Sequence, residues 1–351
     1  MTINSIRRKN RTKRRTPGSI SHGRPPTAIS KPAASLSAKA TRTLIRSHHQ
    51  LHKARARALA DGKEALVQNL DSQIAAHGGL ESYQLASKKG QSKERGGDSS
   101  KVLVDWLAPA FEKLKLNRKQ GIDDLKIEKG GEKSQSQPQL PLQAQLKPRL
   151  RLLEVGALST SNACSRVGLL DVTRIDLHSQ EKGILQQDFM ERPLPVCEEE
   201  KFHIISLSLV LNYVSDPAGR GEMLRRTTAF LTPPPSFIGA VGDAASRDPN
   251  GLSRSSTFFP CLFLVLPAAC VLNSRYFTEE RLQAIMLSLG YKMVQRKVTS
   301  KLIFYLWEYG ATTAQDEEKK KTQQGGTIAA VFRKEMLNPG GKRNNFTVTL
   351  G

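Results

Sequence analysis

The run Leu150-Arg-Leu-Leu-Glu-Val-Gly156 decides the fold. A short apolar segment that ends in glycine and passes into small polar residues predicts a strand, a tight turn and a helix around Ser161 to Leu170. The next segment, Val172-Thr-Arg-Ile-Asp176-Leu, reads as a second strand whose acid stands twenty residues after Gly156. At that spacing a nucleotide-binding α/β fold sets a carboxylate against ribose hydroxyls. Gly156 and Asp176 are therefore candidate cofactor-binding residues. Glu154 is a third: its carboxylate reaches either the cofactor's amino-acid moiety or the backbone of the Gly156 turn.

Working outward, Ile184-Leu-Gln-Gln-Asp188-Phe predicts a short strand ending in an acid placed to receive an adenine amino group, so Asp188 joins the candidates. Phe202 to Val214 holds the strongest strand, rich in Ile, Leu and Val as a strand buried on both faces must be. Asp216-Pro217 starts a helix carrying Met223, Leu224, Thr227, Phe230 and Leu231, and a Pro- and Ser-rich stretch from Thr232 to Phe259 reads as a surface insertion. Cys261 to Leu266 predicts a further strand, and Thr278-Glu-Glu a helix ended by Gly290. Strands are expected at Lys292 to Val298, Lys301 to Tyr309 and Thr327 to Arg333, with a hairpin loop from Ala311 to Gly326.

Strands alternating with helices imply a mostly parallel sheet, and the closing run of strands an antiparallel edge. The fold class is α/β, Rossmann-like, over 149–335. Gly156-Ala-Leu-Ser-Thr-Ser lacks the second and third glycines that bring backbone against a pyrophosphate. That favours S-adenosyl-L-methionine, which has no pyrophosphate, over a dinucleotide.

Ahead of this domain the chain divides by composition. The formal charge is +22, and the first sixty residues carry fifteen Lys or Arg and no acid, so a polyanion is the natural partner. Residues 1–32 are expected as a disordered basic tail with the composition of a nuclear-import signal. Residues 33–116 read as a helical arm. In it Asp61 and Glu64 have capping-box spacing, Gly78-Gly79 stops a helix, and His48, His49 and His52 belong to the basic face. The run Gly96-Gly-Asp-Ser-Ser-Lys101 feeds an amphipathic helix through Leu103, Trp106, Leu107, Phe111 and Leu114, as its N-cap or as a lid over cofactor or RNA. Residues 117–148 read as a linker and 336–351 as a C-terminal tail. Four cysteines without a C-x-x-C pair give no zinc site, and the apolar run Phe258 to Leu272, interrupted by Pro260 and Pro267, is too short to span a membrane. A soluble, intracellular protein is expected.

The stretches Tyr83-Gln-Leu-Ala-Ser, Gly96-Gly-Asp-Ser-Ser-Lys, Leu153-Glu-Val-Gly-Ala-Leu, Arg174-Ile-Asp-Leu, Ile184-Leu-Gln-Gln-Asp-Phe, Ile204-Ile-Ser-Leu-Ser-Leu-Val-Leu-Asn-Tyr-Val and Asn273-Ser-Arg-Tyr resemble the fungal nucleolar methyltransferases that modify N1 of an adenine in 25S ribosomal RNA. The resemblance implies S-adenosyl-L-methionine at Gly156 and Asp176, a nucleolar location, and 25S rRNA or a pre-ribosomal particle as partner. The Gln-rich linker and the insertion after Leu231 depart from the family. Adenine N1 lies on the pairing edge, so the base must be unpaired or flipped into a pocket. Such a pocket belongs at the C-terminal end of the strongest strand, where Asn212 is placed to bond the adenine edge and Tyr213 to stack. A helix-starting turn with a packed tyrosine explains the same two residues. The competing readings are an inactive RNA-binding assembly factor on the same fold, and a nicotinamide-dependent oxidoreductase, which the missing glycines disfavour.

Overall fold

The computed structural model describes residues 37–90, 97–128, 149–179, 181–233, 259–310 and 331–351. The basic tail, nearly all of the insertion after Leu231, the 311–326 loop and residues 129–148 of the expected linker lie outside them.

Seven strands form one sheet in the order β3-β2-β1-β4-β5-β7-β6: β1 Leu150–Val155, β2 Leu170–Asp176, β3 Leu185–Gln186, β4 Ile204–Ser208, β5 Cys261–Pro267, β6 Tyr291–Val298 and β7 Leu302–Tyr309. The first five pair in parallel, and β7 runs antiparallel between β5 and β6. Chain order reverses direction between β1 and β4, and in open α/β sheets a crevice forms there, outside the carboxyl ends of the strands.

Side chains alternate across the sheet with period two, so the adjacent residues Leu152 and Leu153 serve opposite cores. Leu153, Ile205, Leu262 and Leu264 pack with Met223, Leu224 and Phe230 of α6 (Pro217–Phe230) and with Leu282, Ile285 and Met286 of the helix Glu279–Ser288. On the other face Leu152, Ile204, Phe263 and Phe304 meet Leu103, Leu107 and Phe111 of α4, Ser100–Glu128. The helix after β1, α5 (Ala163–Arg166), is only four residues long, shorter than its expected span of 161–170. So small a helix cannot cover the β1/β4 face. The amphipathic stripe of α4, assigned from sequence to the arm, buries that face instead, and α4 continues to Glu128 through part of the expected linker.

Three helices precede this domain: α1 Ala38–Ala60, α2 Glu64–Ala76 and α3 Gly79–Gly90. Ser37 caps α1 by accepting the Ala40 N–H at 3.1 Å. The expected capping box does not form: Asp61 closes α1 and takes the Lys63 ammonium at 3.1 Å, so α2 starts without a side-chain cap. Gly78, at φ +81, ends α2 as expected. Arg55 of α1 bonds Asp71 of α2 through both carboxylate oxygens, and His48 stacks on Tyr83 of α3 with ring centroids 4.4 Å apart.

The closing segment departs from its reading as a tail. Phe346, Val348 and Leu350 are buried in the α6 core. Phe332 pairs with Leu350 as a single antiparallel bridge rather than opening a full strand, and residues 327–330 lie outside the described part.

Candidate functional site

The loops at the carboxyl ends of β1 and β4 face each other across the switch point. Gly156 follows β1 with φ +75, a region that suits glycine, and a Cβ there would lie 2.6 Å from Val210 Cγ2. On the opposite side Leu209 holds φ +60 directly after β4, a strained conformation for a branched residue and one that clusters at functional loops. The turn that follows, with Tyr213 N–H donating to Val210 C=O at 2.8 Å, presents Asn212 and Tyr213 at the mouth of the crevice.

Three carboxylates pin the loop that follows Gly156. Glu154 accepts the Asn162 Nδ2 group on both oxygens, at 2.6 and 2.8 Å, and stands 3.7 Å from Arg174 Nε. Asn162 in turn caps α5 by accepting the Ser165 N–H. Glu154 thus bonds a loop side chain rather than the Gly156 backbone, and burial pushes its carboxyl pKa up against the opposing pull of Asn162 and Arg174. Asp98 takes the Ala163 N–H at 2.6 Å, and Glu181 takes the Thr160 N–H at 2.8 Å. Asp98 also caps α4 through the Ser100 N–H, and Ser99 meets Ser208 at the end of β4, Oγ to Oγ 2.8 Å. The Asp98-Ser99-Ser100 run is therefore both an N-cap and a clasp across the β1 and β4 loops.

Asp176 ends β2 beside the crevice. One oxygen accepts the His178 N–H at 2.8 Å, while burial raises the carboxyl pKa despite that bond. Asp188 sits after β3 and accepts the Met190 N–H at 2.7 Å. Arg275 is committed to the chain itself: its guanidinium bonds the carbonyls of Gly340 and Gly341 and the side chain of Asn345.

Asn212 Oδ1 is buried with no hydrogen-bond partner. Leaving a carboxamide oxygen in that state costs about 1–3 kcal/mol. The helical arm packs against the neighbouring Tyr213. The His49 ring lies 4.1 Å from Tyr213, and Tyr83 meets Tyr213 edge-on at 5.9 Å. Gln84 of α3 donates to the His178 carbonyl, tying the arm to the loop after Asp176. Burial, strongest for Tyr213 in this group, raises the phenol pKa of both tyrosines.

This corrects the reading of the histidines as a basic face. His48 and His49 turn inward, and burial first, then the neighbouring imidazoles and, for His49, Lys53, hold each imidazole pKa at about 4, so both are neutral at physiological pH. Among the described residues no group of three or more His, Cys, Asp or Glu is placed to hold a metal ion. Nor is any described helix long and apolar enough to cross a membrane. His49 and Tyr83 were missed as site residues because nothing in their local spacing says that α1 and α3 fold back on β4. A pair of histidines on an otherwise cationic helix was the available signal.

A family model described as Bmt2, 25S rRNA (adenine(2142)-N(1))-methyltransferase, matches residues 68–348, from α2 through the buried C-terminal segment. The 25S rRNA adenine-N(1) methyltransferase of Schizosaccharomyces pombe is 33% identical over 306 residues, covering 87% of this chain and 89% of that protein. The 25S rRNA (adenine(2142)-N(1))-methyltransferase of Saccharomyces cerevisiae is 34% identical over 280 residues, 80% of this chain and 62% of its own length. With a match that takes in the sheet, the pinned loop and the Asn212-Tyr213 turn together, the chain belongs to the 25S rRNA adenine-N1 methyltransferase family.

Proposed function

We propose that this enzyme transfers the methyl group of S-adenosyl-L-methionine to N1 of an adenine in 25S rRNA, acting in the nucleolus on the rRNA or on a pre-ribosomal particle. The observation that carries the reading is the buried, unpartnered Asn212 Oδ1 at the carboxyl end of β4, next to Tyr213. An adenine presents an exocyclic amino donor adjacent to N1, which is the complement of that oxygen.

The crevice also fits the methyl donor. Backbone at Gly156 approaches Val210 without a side chain between them, and Asp176 ends the strand beside it at the position where such folds bind ribose hydroxyls. Gly156 and Asp176 would hold the nucleoside and Asp188 its adenine amino group, while Glu154 fixes the loop that shapes the site. When bound, S-adenosyl-L-methionine supplies a methyl group made electrophilic by its sulfonium.

The chain's own residues have a limited task. Adenine N1 carries its lone pair unprotonated at neutral pH, so no general base is needed before transfer, and rate comes from alignment and exclusion of water. Asn212 orients the base by its edge and Tyr213 by its face. The base becomes cationic as N1 is alkylated. Neutral His49 and the faces of Tyr213 and Tyr83 suit that charge, since aromatic rings attract cations and a protonated imidazole would repel one. The basic N-terminal sequence adds affinity for RNA phosphates.

Mass spectrometry of rRNA nucleosides from cells whose only copy carries Gly156→Arg tests the reading. Loss of N1-methyladenosine from large-subunit rRNA is expected, and an unchanged level would overturn it.

A further inference from the structure

We propose that the helical arm forms the second wall of the target-nucleotide pocket: His49 and Tyr83 face the base opposite Asn212 and Tyr213, and Arg46 and Lys53 of α1 take the phosphates that flank it. The inference rests on the adenine-methylating reading above and adds the residues that recognise the RNA at that site.

Four observations lead to it. First, α1 lies against the turn that follows β4, with His49 4.1 Å from Tyr213. Second, Arg46, His49 and Lys53 follow one another at three- and four-residue steps, so they share one face of the helix. Seven residues of helix span about 10 Å, which sets one cation on each side of the imidazole. Third, neither cation has an acid partner among the described residues, although Arg55 on the same helix is paired with Asp71. Both are exposed, and Arg220 stands near Lys53. Two exposed cations without acid partners on one helical face make a place for an anion. Fourth, α1 contains no acidic residue at all.

The chemistry on this face is that of single-strand recognition, in which aromatic platforms take the base and cations track the backbone. The rings of His49, Tyr83 and Tyr213 touch one another, so the base enters by separating His49 from Tyr213. The arm yields as a unit because Arg55–Asp71 and the His48–Tyr83 stack hold its helices together. An arm that only steadied the fold would need neither the unpaired cations nor imidazoles turned toward β4.

The test uses the full chain, an unmethylated 25S rRNA fragment and three readouts: RNA affinity by fluorescence anisotropy as a function of salt, methyl-transfer kinetics, and cofactor affinity by calorimetry. For Arg46→Gln with Lys53→Gln, the slope of log affinity against log salt should fall by about 0.7 per lost contact, with cofactor affinity unchanged. Because both residues are exposed, this variant keeps its fold. For His49→Ala the expected effect is a fall in kcat/KM for RNA of about 5- to 150-fold, the range for one lost stacking partner, with cofactor affinity again unchanged. His49→Phe, which restores a flat ring, should recover most of it. A wild-type salt slope in the double variant, or wild-type kcat/KM in His49→Ala, would overturn the proposal, as would a loss confined to cofactor binding. Failure of the wild-type protein to bind S-adenosyl-L-methionine or to methylate the fragment would instead overturn the reading on which it rests.

Discussion

Gly221, in the first half of α6, lies so close to the Thr349 carbonyl oxygen that a Cβ at position 221 would overlap it. The glycine is what lets the C-terminal segment lie flat on the helix and bury Phe346, Val348 and Leu350. Arg220 next to it clamps the same segment from the other side, donating to the Thr347 carbonyl and stacking over Phe346 at 4.5 Å. Gly221→Ala should unseat the segment. Each apolar side chain returned to water costs about 1.5–3 kcal/mol, so a loss of several kcal/mol is expected. Urea denaturation and proteolysis near residue 345 would show it, and a wild-type midpoint would contradict this account.

Asn212→Leu should separate stability from activity. The substitution keeps the side chain's size and removes a buried oxygen without a partner, so stability should hold or rise by about 1 kcal/mol. Methyl transfer should fall on the order of 100-fold, because the base loses its edge contact and its alignment. Thermal unfolding and single-turnover methylation measure the two effects; a variant that is both active and destabilised would refute the assignment.

Glu154→Ala should act on the fold before it acts on chemistry. Removing the carboxylate strands Arg174 and Asn162 in a largely buried place, and breaking such a pair costs about 3 kcal/mol. Loss of cofactor affinity should follow from a slack Gly156 loop. Denaturant titration compared with Glu154→Gln, which keeps the shape, tests this: equal midpoints for the two variants would exclude it.

Gly156→Ala meets two penalties. Positive φ costs a side chain about 1–2 kcal/mol, and the new methyl group would sit against Val210 Cγ2. Adding Val210→Ala should recover the steric part and leave the conformational part. Cofactor calorimetry on the single and double variants distinguishes them, and no recovery in the double variant would show that contact with Val210 is immaterial.

Acid should loosen the arm. His48 and His49 hold pKa values of about 4 in the folded protein, whereas the unfolded chain takes up protons near the ordinary value of 6.5. Below 6.5 the unfolded state binds more protons, so the stability these residues contribute is complete above that pH and declines as pH falls toward 4. Their neighbours His52, Lys53 and Arg55 add like charge, and Asp71 on α2 opposes it through His52. Hydrogen exchange in α1 and α3 should speed up between pH 6.5 and 4 in excess of the intrinsic pH effect. His48→Gln with His49→Gln should abolish that excess; its persistence would place the acid sensitivity elsewhere.

Sequence alone determined the α/β class, the parallel strands with their antiparallel edge, and the positions of Gly156, Asp176 and Asp188 at or just after strand ends; it ran the central strand on to Val214, whereas β4 stops at Ser208 and Asn212 and Tyr213 stand in the turn beyond it. These follow from local rules, since strand and helix periods and the glycine after β1 are set by residues adjacent in the chain. Tertiary structure decided which residues from distant parts of the chain meet. It made α4 a layer of the core, drew Phe346 to Leu350 into the α6 core, gave Glu154 to Asn162 and Arg174, and turned His48 and His49 from a cationic face into neutral rings against Tyr83 and Tyr213. No local period carries that information. The contacts exist because apolar faces on separate elements must find cover, and the burial that results, rather than residue type, sets which histidines are charged and which polar atoms are left without a partner.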